Sequence, residues 1–159
     1  MNIQVKLFSV LSFIALCITL NSCQLLYPFE GNTSGGTTTT GDGTIGGMVA
    51  RQGNYTVKLV QCTGSRSNQA IEIVLMVTNS GVNESMYLGS DAMAIDNYGN
   101  TLHSGYSTKY EFPTGVSVKV TVSHIKLVEP RTTMLSFFKL PLGSGKVVEF
   151  RNVPVQWTN

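Results

Sequence analysis

Val116-Ser117-Val118-Lys119-Val120-Thr121-Val122-Ser123 exchanges an apolar for a polar residue at every step. Successive side chains of a strand leave on opposite faces, so this octet predicts a half-buried strand with one dry face and one wet face. The apolar phase then slips to Ile125 and Leu127. Such a slip predicts a β-bulge near His124, because one extra residue returns the core-facing set to the same side.

The same period recurs on either side. Tyr55, Val57 and Leu59 alternate with Thr56, Lys58 and Val60, and Ile71, Ile73, Leu75 and Val77 form a second run with Glu72 turned away. Leu135 with Phe137, and Val148 with Phe150, supply two further strands, and Val153, Val155 and Trp157 close the chain after another slip. Shorter strands are expected at 86–89, 91–96 and 101–106. Turn chemistry separates the runs at Asn79-Ser80-Gly81, Asn97-Tyr98-Gly99-Asn100, Pro113-Thr114-Gly115 and Gly143-Ser144-Gly145. No stretch beyond the leader keeps apolar residues at i, i+3, i+4 and i+7 over a helical length. Residues 54–159 therefore predict an all-β sandwich of seven to nine antiparallel strands.

Composition bounds the rest. Charged residues make up 13% of the 159 and hydrophobic ones 42%, a combination unlike that of disordered chains. Eleven Lys and Arg against nine Asp and Glu, with no run of either sign, exclude a nucleic-acid binder that relies on a concentrated basic field. From Gly31 to Gly53, eight Gly and six Thr leave almost nothing to bury, so this segment reads as a flexible tether spanning roughly 25 Å. An edge strand around Ile45 to Ala50 is the alternative.

Residues 1–22 read as a secretory signal, with Lys6 ahead of the apolar run Leu7 to Leu20. Those fourteen residues are too few to cross a ~30 Å hydrocarbon core as a helix. The next residues, Leu20-Asn21-Ser22-Cys23, resemble the lipobox of bacterial lipoprotein precursors, with Leu at −3, a small residue at −1 and Cys at +1. An ordinary signal peptide cut near Ser22 is the other reading. The resemblance implies that the Cys23 thiol is diacylglycerated, that residues 1–22 are removed, and that the protein is anchored by lipid to the outer membrane of the cell envelope. Which side of that membrane it faces stays open. Residues 23–53 then form the lipidated N-terminus and linker, and 54–159 the domain.

The stretch Val74-Leu75-Met76-Val77-Thr78-Asn79, followed by Ala94-Ile95-Asp96-Asn97-Tyr98-Gly99-Asn100, resembles immunoglobulin-like domains of small bacterial lipoproteins and secreted antigens. The ending Phe150-Arg151-Asn152-Val153-Pro154-Val155-Gln156-Trp157 resembles the last strand of versions from Bacteroidetes envelopes. The resemblance covers roughly 55–157 and implies an immunoglobulin-like sandwich. It carries no activity, since most such domains have no assigned chemistry.

Chemistry-bearing residues are sparse. Cys17 leaves with the signal and Cys23 takes the lipid, so Cys62 is left without a disulfide partner and reads as a small buried hydrophobe. His103 and His124 stand in no known catalytic motif. A Ser104–His103 pair with Asp91 or Asp96 can be assembled only on paper, so no catalytic residue and no cofactor is expected. Asp91, Asp96, Asn97 and Asn100 offer oxygen ligands of the kind Ca²⁺ takes, although Asp-Asn-x-Gly-Asn also makes a tight turn for backbone reasons alone. Tyr98, His103, Tyr106, Tyr110 and Phe112, interleaved with Gly, Ser, Thr and Asn, resemble a binding loop in composition. The competing reading packs these rings on the sandwich edge. Trp157 and Phe150 are expected in the core.

The expected function is a membrane-anchored, non-catalytic binding or structural module that meets a protein or glycan. The alternatives are an accessory periplasmic subunit of an envelope assembly and a β-sandwich hydrolase.

Overall fold

The structure, a computed structural model, describes residues 47–126 and 128–159. Cys23, the leader and most of the tether lie outside the described residues. Eleven strands form among those described: β1 (Val49–Gln52), β2 (Tyr55–Ser65), β3 (Ala70–Asn79), β4 (Glu84–Leu88), β5 (Met93–Asp96), β6 (Thr101–His103), β7 (Thr108–Phe112), β8 (Ser117–Lys126), β9 (Met134–Pro141), β10 (Val147–Pro154) and β11 (Gln156–Thr158). Among the described residues no helix is long and apolar enough to cross a membrane.

The strands make two layers and a ribbon. One sheet runs β1-β2-β3-β8, with β11 joined to the far half of β2; the other runs β10-β9-β5-β6; β4 and β7 pair by themselves. The layers meet along both sides: β1 lies beside β10, and Ser104, just past β6, bridges to Ile125 on β8. The core fills the space between them. Leu59, Ile73, Leu75 and Val120 from the first sheet face Leu135, Phe138, Val148 and Phe150 from the second, all fully buried, and the Phe138 and Phe150 rings stack at 6.3 Å. The all-β sandwich read from the alternation is the fold found.

Four irregularities keep the apolar residues inward. On β9, Ile95 pairs with Phe137 but Asp96 with Leu135, so Leu135 and Phe138 are buried while Phe137, expected on the same face as Leu135, is half-buried. Leu59 pairs with Leu75 but Gln61 with Val74, so Val60 is an extra residue, and the buried set on β2 passes from Tyr55, Val57 and Leu59 to Cys62. Ile71 pairs with Ile125 but Ile73 with Val122, so Ser123 and His124 together oppose Glu72. This is the bulge expected near His124, whose φ is 61°. On β10, Asn152 takes a φ of 56° and turns Val153 inward where strict alternation would expose it.

The details depart from the sequence reading at four points. The strand count exceeds nine because β1 and β7 form in addition to the nine runs expected. One pairing, β11 with β2, is parallel: the chain leaves the second sheet at Pro154 and rejoins the first beside Thr63–Ser65. The expected tether 23–53 ends inside the sheet, since Met48 and Ala50 are buried and β1 pairs with β2 from Val49 onward. Lastly, Thr108–Phe112 is a strand where a loop was expected, because Tyr110 and Phe112 alternate with Lys109 and Glu111 and pair with β4.

Gly64 shows how the C-terminus is seated. A Cβ at this position would lie 2.5 Å from Cε3 of Trp157, its neighbour in register across the parallel pair, so only the bare backbone lets the indole lie flat on β2. The Trp157 Nε1–H donates to the Thr132 carbonyl at 2.5 Å, and the ring packs against the core as expected. Cys62 is fully buried among these strands, and burial pushes its thiol up to about 12.

Candidate functional site

The five aromatic and imidazole side chains expected to form one binding loop are dispersed. Phe112 is fully buried, edge-on to Tyr55 at 6.1 Å, and is a core residue. Tyr110 is half-buried, and its hydroxyl closes the edge of β8: it donates to the Thr121 carbonyl at 3.2 Å and accepts from the Thr121 N–H at 3.0 Å. Thus one phenol satisfies both main-chain groups of an edge residue, which explains a tyrosine at this position. Tyr98 is exposed at the β5–β6 turn, where its hydroxyl reaches the Arg131 carbonyl at 3.4 Å. His103 is exposed on β6. Tyr106 is also exposed, and its ring lies against His124 with centroids 4.3 Å apart and the planes tilted by 41°.

The oxygen cluster serves its own turn. Asp96 is buried, and its carboxylate accepts from the backbone N–H of Tyr98 at 2.9 Å and of Asn100 at 2.8 Å, and from Asn100 Nδ2 at 2.9 Å. Burial pushes the Asp96 carboxyl up, but these hydrogen bonds outweigh it and hold the group below the usual carboxylate range. Asn97 caps elsewhere, accepting from the Thr133 N–H at 3.1 Å, and Asp91 is exposed. The four side chains therefore do not converge on one point. Ser104 and His103, as neighbours in sequence, are separated by the pleat: the Ser104 hydroxyl is buried and donates to the Ser123 carbonyl at 3.0 Å, while the imidazole is exposed.

A different site lies on the outer face of the first sheet, at the end where β11 joins β2. It is a solvent-open groove of about 580 Å³ whose lining includes Thr63, Ser65, Glu72, Ser123, His124 and Thr158, with Lys126 beside them. The register brings these residues together. Thr63 is opposite Glu72, Glu72 faces the bulged pair Ser123–His124, Ser65 and Lys126 both pair with Ala70, and Thr158 lies beside Ser65. The bulge makes the concavity: twist increases where two residues oppose one, and the left-handed backbone at His124 turns its ring toward Tyr106. Gly89 runs close to the Tyr106 backbone, since a Cβ there would meet the Tyr106 carbonyl at 2.5 Å.

The groove combines hydroxyls, one carboxylate, one ammonium and an imidazole that lies tilted against a phenol. Such a surface can hydrogen-bond a polar, hydroxyl-rich ligand and lay a ring against one of its faces. Of the residues singled out in the sequence, His124 lines this site and Tyr106 touches it through His124. Glu72, Thr63, Ser65 and Lys126 were not flagged as site residues, though Ser117, Lys119, Thr121 and Ser123 had marked a wet strand face. The fold and groove thus define an all-β sandwich with a concave, polar sheet face. No protein-family model matches this chain, and no curated protein is significantly similar to it.

Proposed function

We propose that the chain is an envelope lipoprotein, anchored through a lipid on Cys23, whose immunoglobulin-like sandwich acts as a non-catalytic binding module. The groove on the outer face of the first sheet carries this reading. It is open to solvent, lined by hydroxyls on a sheet face, and bordered by His124, whose ring lies tilted against that of Tyr106. Rigid polar concavities of this kind suit recognition of a protein loop or a glycan. Lipid chains supply roughly 0.8 kcal/mol per buried CH₂, so a doubly acylated Cys23 needs no amphipathic helix to hold the domain at a membrane.

Membrane fractionation of cells producing the wild type and Cys23→Ala tests the anchor. The wild type is expected in the membrane fraction with an acylated N-terminal peptide in its mass spectrum, and the variant is expected in the soluble fraction. A variant that still fractionates with membranes, or a wild type without acyl chains, overturns the anchor. Binding is tested separately, by retention of the detergent-solubilised full chain on immobilised envelope material. Tyr106→Ala is expected to weaken that retention, and equal retention of both proteins counts against the groove.

A further inference from the structure

We infer that the outer face of the first sheet binds an acidic glycan, a polysaccharide carrying carboxylates at regular intervals. This inference rests on the binding-module reading and names the ligand class for the same face. Residues paired in register share a face of a sheet, so the outer surface can be read row by row. Arg51 and Thr56 lie in one row with Thr78 and Ser117; Lys58, Met76 and Lys119 form the next; Ser65, Ala70 and Lys126 form the row at the groove end. Arg51, Lys58, Lys119 and Lys126 are all exposed, and the only side-chain carboxylate in these rows and the groove between them is Glu72. In a chain with only 13% charged residues, that places four cations against one anion on a single face. None of the four cations has an ion-pair partner among the described residues.

The spacing selects a polymer over a small anion. Lys58 and Lys119 are separated by two strand intervals, about 10 Å, and Lys126 lies about 20 Å further along β8. Charges so far apart cannot converge on one phosphate or carboxylate, but they match an extended chain with repeated anions. Hydroxyls of Thr56, Thr78 and Ser117 at one end, and of Thr63, Ser123 and Thr158 at the other, supply the donors and acceptors that sugar hydroxyls require. Two other polyanionic surfaces fit less well. A nucleic-acid strand needs a ring for each of several successive bases, and in the outer-face rows between the cations His124 is the one ring. A bilayer surface can present anions to the exposed cations but makes no use of the concave, hydroxyl-lined groove.

The test uses the detergent-solubilised full chain titrated with polygalacturonate, neutral dextran, single-stranded DNA and vesicles containing anionic lipid. Isothermal titration calorimetry measures occupancy of the face. Polygalacturonate is expected to bind and to weaken severalfold as ionic strength rises from about 0.05 to about 0.3 M. Lys58→Gln with Lys119→Gln is expected to lower that affinity roughly tenfold at unchanged melting temperature, since both side chains are exposed. Lys139→Gln with Arg151→Gln, on the other sheet, is expected to leave it unchanged.

Equal affinity of the Lys58/Lys119 variant and the wild type overturns the inference, as does preferential binding of DNA or vesicles. Binding of dextran but not polygalacturonate also overturns it, while leaving the binding-module reading intact. A lipidated protein that retains none of the probes and no envelope material overturns both.

Discussion

Replacing Gly64 by Ala tests the seat of the C-terminal strand. The φ of Gly64 lies outside the left-handed region, so alanine fits the backbone, and reduced freedom of the unfolded chain would by itself stabilise by about 0.4–1 kcal/mol. The new methyl group, however, would sit 2.5 Å from Cε3 and 2.7 Å from Cδ2 and Cζ3 of Trp157. Ordinary carbon–carbon contact begins about 1 Å further out, so the indole must retreat by about that distance. Two linked interactions loosen with it: the Nε1 bond to the Thr132 carbonyl and the pairing of Gln156–Thr158 with Thr63–Ser65. Overpacking costs typically about 1–3 kcal/mol and the lost hydrogen bond about 1, so the net effect is a destabilisation of about 1–3 kcal/mol. For a domain of this size that lowers Tm by roughly 5–20 °C. Urea or thermal unfolding followed by circular dichroism measures it in every background, with a red-shifted native Trp157 emission as the local sign where the ring is present. The decisive control is the same change in a Trp157→Ala background, where there is no ring to displace and Gly64→Ala is expected to be neutral or mildly stabilising. Equal penalties in both backgrounds would refute the close packing of this pair.

Asp96→Asn is expected to cost about 1–3 kcal/mol at pH 7, because a charged acceptor of three N–H groups is lost. The native carboxyl is held below its unfolded value near 3.9, so its stabilisation is present above that value and fades as pH falls through the native one; urea midpoints of wild type and variant should therefore converge below about pH 4. Tyr110→Phe leaves the Thr121 N–H and carbonyl without their shared partner and is expected to cost about 1–3 kcal/mol, whereas exposed Tyr106→Ala should stay within about 0.5, both read by denaturant titration. Cys62, buried and with its thiol raised to about 12, should resist thiol reagents at pH 8 in the native protein and react fully in denaturant; rapid native labelling would contradict its packing.

The parts of the fold that were legible in the sequence are those whose cause is local. Alternation from Val116 to Ser123 needs only the pleat to become a strand, and the slip to Ile125 needs only the requirement that both Val122 and Ile125 be buried. Asn79-Ser80-Gly81 likewise makes its own turn, with the Asn79 carbonyl oxygen Oδ1 accepting from the Gly81 N–H at 2.8 Å. What escaped is decided at a distance. Nothing within Gln156–Thr158 says that it joins β2 in parallel, because the cause is the missing side chain at Gly64. Thr108–Phe112 carries a strand pattern only five residues long among Tyr, Ser and Gly, and its partner Glu84–Leu88 lies about twenty residues upstream. The phenol of Tyr55 is held above its ordinary value by burial, and then by Glu84, which accepts its hydrogen bond from that same partner strand.

The groove was illegible for a related reason. A wet strand face can be read from one strand, but a site on a sheet is made by register, and here two bulges reset it. Val60 shifts β2 against β3, so that Thr63 comes opposite Glu72; the Ser123–His124 pair shifts β8 so that both come opposite the same glutamate. Remove the second bulge and the parity rule would turn either Val122 or Ile125 out of the core. Core burial thus requires an extra residue at that position, and the extra residue is a histidine in the left-handed region, where a polar side chain that tolerates positive φ is favoured. The imidazole is therefore turned outward by the demands of the interior, and the ring contact with Tyr106, the concavity and the grouping of hydroxyls follow from that. Lengthening the wet face alone would not reproduce the site; moving the bulge by one residue would dismantle it while leaving every strand in place.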